Sequence, residues 1–562
     1  MAIVPQTLRA GTWDLPDVPP FVQAVLALFL EPIMAWLQTQ VERTLLARCA
    51  DHPLVLINQW YDPAAVVTAC ADFHHAPDTP GRPPTFSITQ YVRMEMVRAW
   101  ADTCSDPALE ELLTTNFLVR WFVGLPLLQP APDHSTLAAF HAYMTAHAAA
   151  ALFTDTLAFL DRVDPEDPAT TPQIVDTFAL ESPVTPTRSV AYLLAHLTRR
   201  LVGTWCRYAP AASQGAIPPL DLTTLVRLPY VKTAHERLQR LQTIVAAVHR
   251  VVDGVTPHVA ELPPPHGATV QAYLAMLAKV QADELIGDAT GSVRERPTND
   301  RGDYRCASAV DYEATFRLHE GSPAVFGYNA IISTTATRIR AALCLTGAAS
   351  DGLAPAAALQ QQRDAGRPLP ADLVMDQAGG WGKTRMRVHA VSDGVTRMTA
   401  RVPQAGGSDP TRFNVTDFTV DAARPCCTCP HGVVSTKAYA SPAHDGVYFR
   451  FLASQCAGCP QWARCRDPKA NPKGHRTVFI SDYHAVQRAA AAFNRTPEAK
   501  ALFGMRWRVE PTIAWLVRFQ GCRRARRVGM AAAQCQLFQA CAIRNLLSWL
   551  GRMRRGAVRP PP

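Results

Sequence analysis

Lysine is absent from both ends of this chain, and acids are almost absent from one of them. Residues 1–150 hold no Lys, and seven Arg there face fourteen Asp and Glu, a balance of −7. Residues 501–562 also hold no Lys, but twelve Arg face a single acid, Glu510, a balance of +11. The net charge of +9 is therefore the sum of two opposed regions. An acidic N-terminal part argues against a simple DNA-facing surface there, whereas the C-terminal end has the footprint of a polyanion site. Long apolar runs are missing as well. The most apolar early stretch, residues 21–30, is cut off by Glu31-Pro32. That is about half of the ~20 residues a membrane span needs, so it reads as a buried helix. No charged segment precedes it, and no signal peptide is expected. No internal repeat or long low-complexity tract is present.

At 562 residues, 48% hydrophobic and 18% charged, the chain reads as globular, with two to four domains. Forty-six Pro and 30 Gly imply many breaks. Residues 1–83 form a helical N-terminal segment, with Trp36, Leu37, Val41, Leu45 and Leu46 at helical spacing. Residues 84–165 read as a helical bundle. One helix lies over 88–101, and Asp106 caps the next, with Pro107 in its first turn. Two short helices here have the pattern of a helix-turn-helix, with a plain packing module as the alternative. Residues 170–395 form an α/β core carrying a helical insertion over 186–300. Residues 396–482 are a β-rich, Cys-containing insertion, and residues 483–562 a helical part with a basic tail.

The chemistry rests on three acids. Asp176 interrupts the strand-like run 173–180, where alternation puts Ile174, Asp176 and Phe178 on one face. A buried acid in such a run is costly unless it is paired or metal-bound; an edge strand facing solvent is the alternative. Asp376 ends the apolar strand 372–376 just before Gly379-Gly380, at a strand's C-terminal end, where sites of open sheets lie. Glu510 lies in a helical segment among arginines. Hard carboxylate oxygens suit Mg2+, and a pair of such ions suits in-line phosphoryl transfer. Asp351 and Asp311 are rivals for the second position.

Several short motifs point the same way: Trp121-Phe-Val-Gly-Leu125, Pro132-Asp-His-Ser-Thr-Leu137, Val175-Asp-Thr177, Val310-Asp-Tyr-Glu-Ala-Thr-Phe316, Phe326-Gly-Tyr-Asn329, Asp372-Leu-Val-Met-Asp376 and Trp507-Arg-Val-Glu-Pro511. With them the chain resembles the DDE transposases of bacterial insertion sequences, of the insertion-sequence-1182 type, from about residue 84 to 550. The resemblance implies an RNase H-like core in an α/β chain, with a helical insertion after the first strand and a β-rich insertion before the last catalytic helix. It also implies that Asp176, Asp376 and Glu510 hold Mg2+ or Mn2+. Around the glutamate the family carries Tyr, Arg, Glu and Lys at fixed spacing. Here those positions are Phe503, Arg506, Glu510 and Val517, with Arg518 one step beyond the missing Lys.

Six of the fifteen Cys fall within residues 426–465. Cys427, Cys429, Cys456, Cys459 and Cys465 have the spacing of a structural zinc site, with reduced packing cysteines as the alternative; His431 rivals Cys465 as fourth ligand. Arg506, Arg508, Arg518, Arg523, Arg524, Arg526 and Arg527, with Lys383 and Arg385, are the candidate DNA contacts. The expected activity is metal-dependent cleavage and strand transfer at element ends. The expected setting is a homodimer on double-stranded DNA in the cytoplasm, associated with the nucleoid. A nuclease without strand transfer, a non-catalytic DNA-binding relic and a zinc-stapled interaction protein are the alternatives.

Overall fold

A computed structural model describes residues 20–560. Left undescribed within that range are 75–83, 103–104, 127–128, 188, 218–230, 232, 288–291, 298–299, 301–304, 320, 404–410, 422–425, 442–444, 468–470 and 472–473. The first nineteen residues of the expected N-terminal segment, and the side chains up to residue 31, lie outside the described set. No helix among the described residues is long and apolar enough to cross a membrane.

A mixed sheet organises the chain. Its strands are β1 (Gln173–Glu181), β4 (Thr315–His319), β5 (Ser322–Thr334), β6 (Ile339–Thr346), β7 (Asp372–Val374) and β8 (Arg397–Thr399); a small hairpin, β2 (Leu285–Gly287) with β3 (Val293–Glu295), stands apart. The order is β4-β5-β1-β7-β8, with β6 also on β5. β1 is antiparallel to β5, from Ile174↔Thr334 to Glu181↔Gly327, and parallel to β7, with Ile174↔Val374. β1 is thus a central strand, which removes the edge-strand reading of its aspartate. Antiparallel neighbours on one side and parallel ones on the other make the sheet mixed.

Strand alternation sends the residues of β1 to two different cores. Ile174 and Phe178 join the larger core, with Val374 of β7, the helix Met530–Arg554 and the N-terminal helices. Val175 joins the other face, with Ile331, Leu373, Met375 and the helices Ala354–Asp364 and Gly382–Val391. The helical insertion, Val190–Tyr208, Ala234–Val255 and Pro264–Glu284, keeps a separate core around Trp205, Val248 and Leu277.

The N-terminal helices Ile88–Trp100, Asp106–Thr115, Phe117–Val123, His134–His147 and Ala151–Val163 pack on the far side of Met530–Arg554. Ser105 rather than Asp106 caps the second of them, its hydroxyl accepting from the Ala108 amide. Asp106 is the first helical residue, and its carboxylate faces Arg98 at 2.8 Å and Arg527 at 2.6 Å. Arg120 closes the following loop by donating to the carbonyls of Leu113, Pro126 and Gln129.

After β8 comes a subdomain of two three-stranded sheets, β9 (Thr419–Asp421), β10 (Cys426–Thr428) and β11 (Val434–Ser435), then β12 (Ala438–Ser441), β13 (Gly446–Phe451) and β14 (Arg476–Ser481). The segment from 507 onward is not one helix. A 3-10 turn, Arg506–Arg508, leads into the helix Val509–Phe519. A loop then pairs with the end of β1, where the Glu181 amide donates to Arg523 and Ala525 donates to Glu181, before Met530–Arg554 begins. Gly521 and Gly529, both at positive φ, open and close that loop.

Candidate active site

Asp176 lies within β1, whereas Asp376 lies two residues beyond the end of β7, its parallel neighbour, and not on the strand itself. Ile174 pairs with Val374 in parallel register, and each acid follows two residues later. The same parity points both toward the face that carries Ile174 and Val374. Val509 and Leu516 are buried in the core of that face, so the helix Val509–Phe519 lies against it and presents Glu510 in its first turn. That helix is short and amphipathic because Val509, Ile513, Leu516 and Val517 all face the core. Val517, where a Lys was expected by resemblance, packs inward, and Arg518 beside it is exposed.

Asp376 is fixed from below. Its carboxylate accepts from the Ala378 amide at 2.9 Å, capping the turn Gln377–Gly380. Gly379 and Gly380 follow because the turn is pressed onto the β8 edge. A Cβ on Gly380 would lie 1.8 Å from the Arg401 carbonyl oxygen, and one on Gly379 2.3 Å from the Met398 methyl. At Gly380 the neighbour is backbone, so no other residue type allows this approach and that glycine sets where the turn stands, whereas at Gly379 the Met398 side chain would have to move.

Arg506 bridges the acids. Its guanidinium lies 3.9 Å from the Asp176 carboxylate and 3.7 Å from that of Glu510. Burial pushes the Asp176 carboxyl above its ordinary range. The Thr177 amide and Arg506 pull it down, while Asp376 and Asp351 push it further up, and the net shift is upward. Asp176 is thus a poorly solvated acid crowded by Asp376 and Asp351, partly offset by Arg506 at near-contact distance, while Glu510 is exposed. Among the described residues no group of three or more His, Cys, Asp and Glu side chains stands assembled to hold a metal ion. Arg506 stands between two of the three acids, Asp176 and Glu510. The donor set itself fits such an ion: hard oxygens on rigid strands and a helix, with charge still to be neutralised.

Asp351 belongs to the opposite face. It accepts from Thr177 Oγ1 at 2.9 Å and Asn329 Nδ2 at 2.8 Å, with Arg317 at 3.5 Å, all from its own side of the sheet or its edge. Asn329 and Thr177 were quoted in sequence motifs, but nothing in the sequence said that they serve Asp351. Asp311 is buried, hydrogen-bonded by Ser182 and Tyr328, and stands as a structural anchor.

The candidate DNA cations divide. Arg508, Arg518, Arg523 and Arg524 are exposed. Arg526 is ion-paired to Asp102, in the turn after Ile88–Trp100, and Arg527 to Asp106, the first residue of the next helix. Lys383 is exposed and pairs with Asp445 at 3.2 Å. Arg385 is buried and donates to the carbonyls of Met398, Ala400 and Gly380; burial lowers its pKa to about 10. It cannot reach a phosphate from there. Exposed aromatics accompany the exposed arginines: Trp507, Trp515 and Phe519, with the Arg544 guanidinium 4.7 Å over the Trp515 ring.

The cysteines also divide. Cys427 is fully buried in the subdomain core, where burial pushes its thiol up to about 12. Cys429, Cys456, Cys459 and Cys465 line one small apolar cavity with Arg466 and Arg476, whereas His431 is exposed and does not line it.

Two comparisons with known families place these features. The family described as a transposase domain matches residues 44–142, the acidic helical part. The family described as a transposase DDE domain matches residues 428–549, from β10 through Glu510 into the long C-terminal helix. The second match includes Glu510 and the cavity cysteines but not Asp176 or Asp376. No curated protein and no solved structure matches the chain.

Proposed function

We propose that the chain is a DDE transposase of insertion sequences, a polynucleotidyl transferase that cuts and rejoins DNA at the ends of a mobile element. The observation that carries this reading is Asp176 within β1 and Asp376 just past the end of the parallel β7, with Glu510 joined to Asp176 through Arg506. The strand order, with three antiparallel strands followed by two parallel ones, supports an RNase H-like core.

In this reading Asp176, Asp376 and Glu510 hold Mg2+ or Mn2+, which when bound supplies activation of the attacking oxygen and stabilisation of the leaving one. The chain's own residues do the rest. Asp376 is held in place by the capped turn and its two glycines. Arg506, between Asp176 and Glu510, pulls the Asp176 carboxyl down against the effect of burial. Arg508, Arg518 and Arg523 hold the flanking phosphates without regard to sequence. Two copies acting as a homodimer would bring two element ends together.

The test is purified full-length protein with duplex DNA carrying its own element's ends, in Mg2+. Cut ends and end-to-target joints are expected, and neither with Glu510→Gln. Cutting that persists in Glu510→Gln would overturn the assignment. Cut ends without joints would favour the nuclease reading.

A further inference from the structure

The β-rich subdomain holds a second candidate site, independent of the carboxylates. Its own hydrophobic core has six buried residues: Phe418, Cys427, Phe449, Phe451, Val478 and Ile480. The stretch that closes over one end of that core, residues 453–465, contains only two single-turn helices, Ala453–Cys456 and Trp462–Cys465. Small modules with such a core generally need a covalent or metal staple to be ordered.

Four thiols gather where that staple would sit. Cys429 ends β10 at a tight turn, with the Gly432 amide donating to its carbonyl and its own amide donating to Val433. Gly432 has φ +84°, which only glycine adopts without strain. Cys456 and Cys459 flank a second tight turn, in which Cys459 donates to the Cys456 carbonyl and Gly458 has φ +72°. Cys465 closes the next helical turn. All four thiols are free, and all four line the same cavity.

Charge points the same way. Arg466 is buried, with its guanidinium over the Trp462 ring and on the Gly474 carbonyl. Arg476 lines the same cavity, and its Nε is buried without a hydrogen-bond acceptor. Arg476 sits against Cys465, whose thiol it lowers against the effect of burial, and Arg466 likewise favours a charged Cys456. Four thiolates around a divalent ion carry two negative charges, which two arginines balance.

We infer that Cys429, Cys456, Cys459 and Cys465 form a four-thiolate site for a structural Zn2+ ion, with Arg466 and Arg476 as its charge partners. Cys426, Cys427 and His431 are not ligands. Binding exchanges four thiol protons for the metal with no change of oxidation state, and tetrahedral thiolate ligation is the ordinary form of a structural zinc site. The thiols must draw in by rotation about their side-chain bonds, since the described groups are not yet at ligand distance.

The full-length protein, purified without chelator, should carry one zinc per chain. Replacing it with Co2+ should give the intense sulfur-to-cobalt charge-transfer absorption of a tetrahedral thiolate site. Cys459→Ser should lose the metal, and Cys427→Ser should keep it. A second measurement on the wild-type protein does not depend on how Cys459→Ser folds. Alkylation followed by mass spectrometry should find Cys429, Cys456, Cys459 and Cys465 protected together until a chelator is added. Absence of zinc and of the cobalt band, protection of a different set, or disulfides among these four would overturn the inference. Cleavage activity is not part of the readout, so failure here leaves the carboxylate site untouched, and the reverse also holds.

Discussion

At the scale of single residues the account turns on Asp176. Its carboxyl is raised in the folded protein, first by burial. Such a group contributes stability that is fully present below its unfolded pKa of about 3.9 and is lost as pH rises through the folded value. At neutral pH the ionised group therefore costs stability that an amide would not. Asp176→Asn should raise the melting temperature at pH 7 while abolishing cleavage, and the gap should close as pH falls toward about 4. A variant no more stable than wild type at pH 7 would contradict the buried, crowded environment assigned to this acid. Arg506 acts in the opposite sense, lowering the Asp176 carboxyl. Arg506→Ala should move the acid limb of the pH–cleavage profile to higher pH, and Arg506→Lys should bring it part of the way back. A change in rate with no movement of the limb would assign Arg506 to phosphate binding alone.

At the scale of elements, the helix Ile88–Trp100 is tied to the core by Glu95. This side chain is 1% exposed and meets Arg98 at 3.1 Å, His141 at 2.7 Å and Gln539 at 3.0 Å. Burial opposes its charge, but Arg98 and His141 outweigh it and hold the carboxyl well below the usual range. Its stability contribution is therefore present above the unfolded pKa and is lost as pH falls through the folded one. Glu95→Ala leaves Arg98 and His141 without their shared partner, a loss expected to cost about 3–5 kcal/mol in denaturant unfolding. This bond joins three helices distant in sequence, and no local pattern announced it. What was legible in the sequence was what alternation and caps encode locally. The run around Asp176 reads as a strand because Ile174 and Phe178 share a face, and it is one. The Gly379-Gly380 pair reads as a loop after Asp376, and the structure makes it a 3-10 turn. The break at 520–529 is bounded by Gly521 and Gly529, which flank the basic run 523–527 between the two helices. Their role depends on a backbone pairing with Glu181, more than three hundred residues away. The choice between Asp376 and Asp351 likewise needed the sheet. Both follow strands, and only register and parity separate the faces they occupy.

At the scale of the whole molecule, the charge asymmetry between the ends is partly consumed inside the fold. Arg526, Arg527 and Arg552 pair with Asp102, Asp106 and Asp164, so acid from the N-terminal part neutralises base from the tail. The basic footprint is accordingly narrower than composition suggests and centres on Arg508, Arg518 and Arg523, beside the exposed Trp507 and Phe519. Replacing any one of these three by Ala should weaken duplex binding uniformly across sequences and reduce the log–log salt slope by about 1. Arg527→Ala should instead lower stability and leave that slope unchanged. Equal salt slopes for both sets would show that the internal pairing does not separate them. The most direct test of the central claim compares Asp376→Asn with Asp351→Asn in Mg2+-dependent cleavage of element-end DNA. The account predicts that Asp376→Asn is inactive though folded, while Asp351→Asn still cuts. Cutting by Asp376→Asn, with loss in a folded Asp351→Asn, would contradict it.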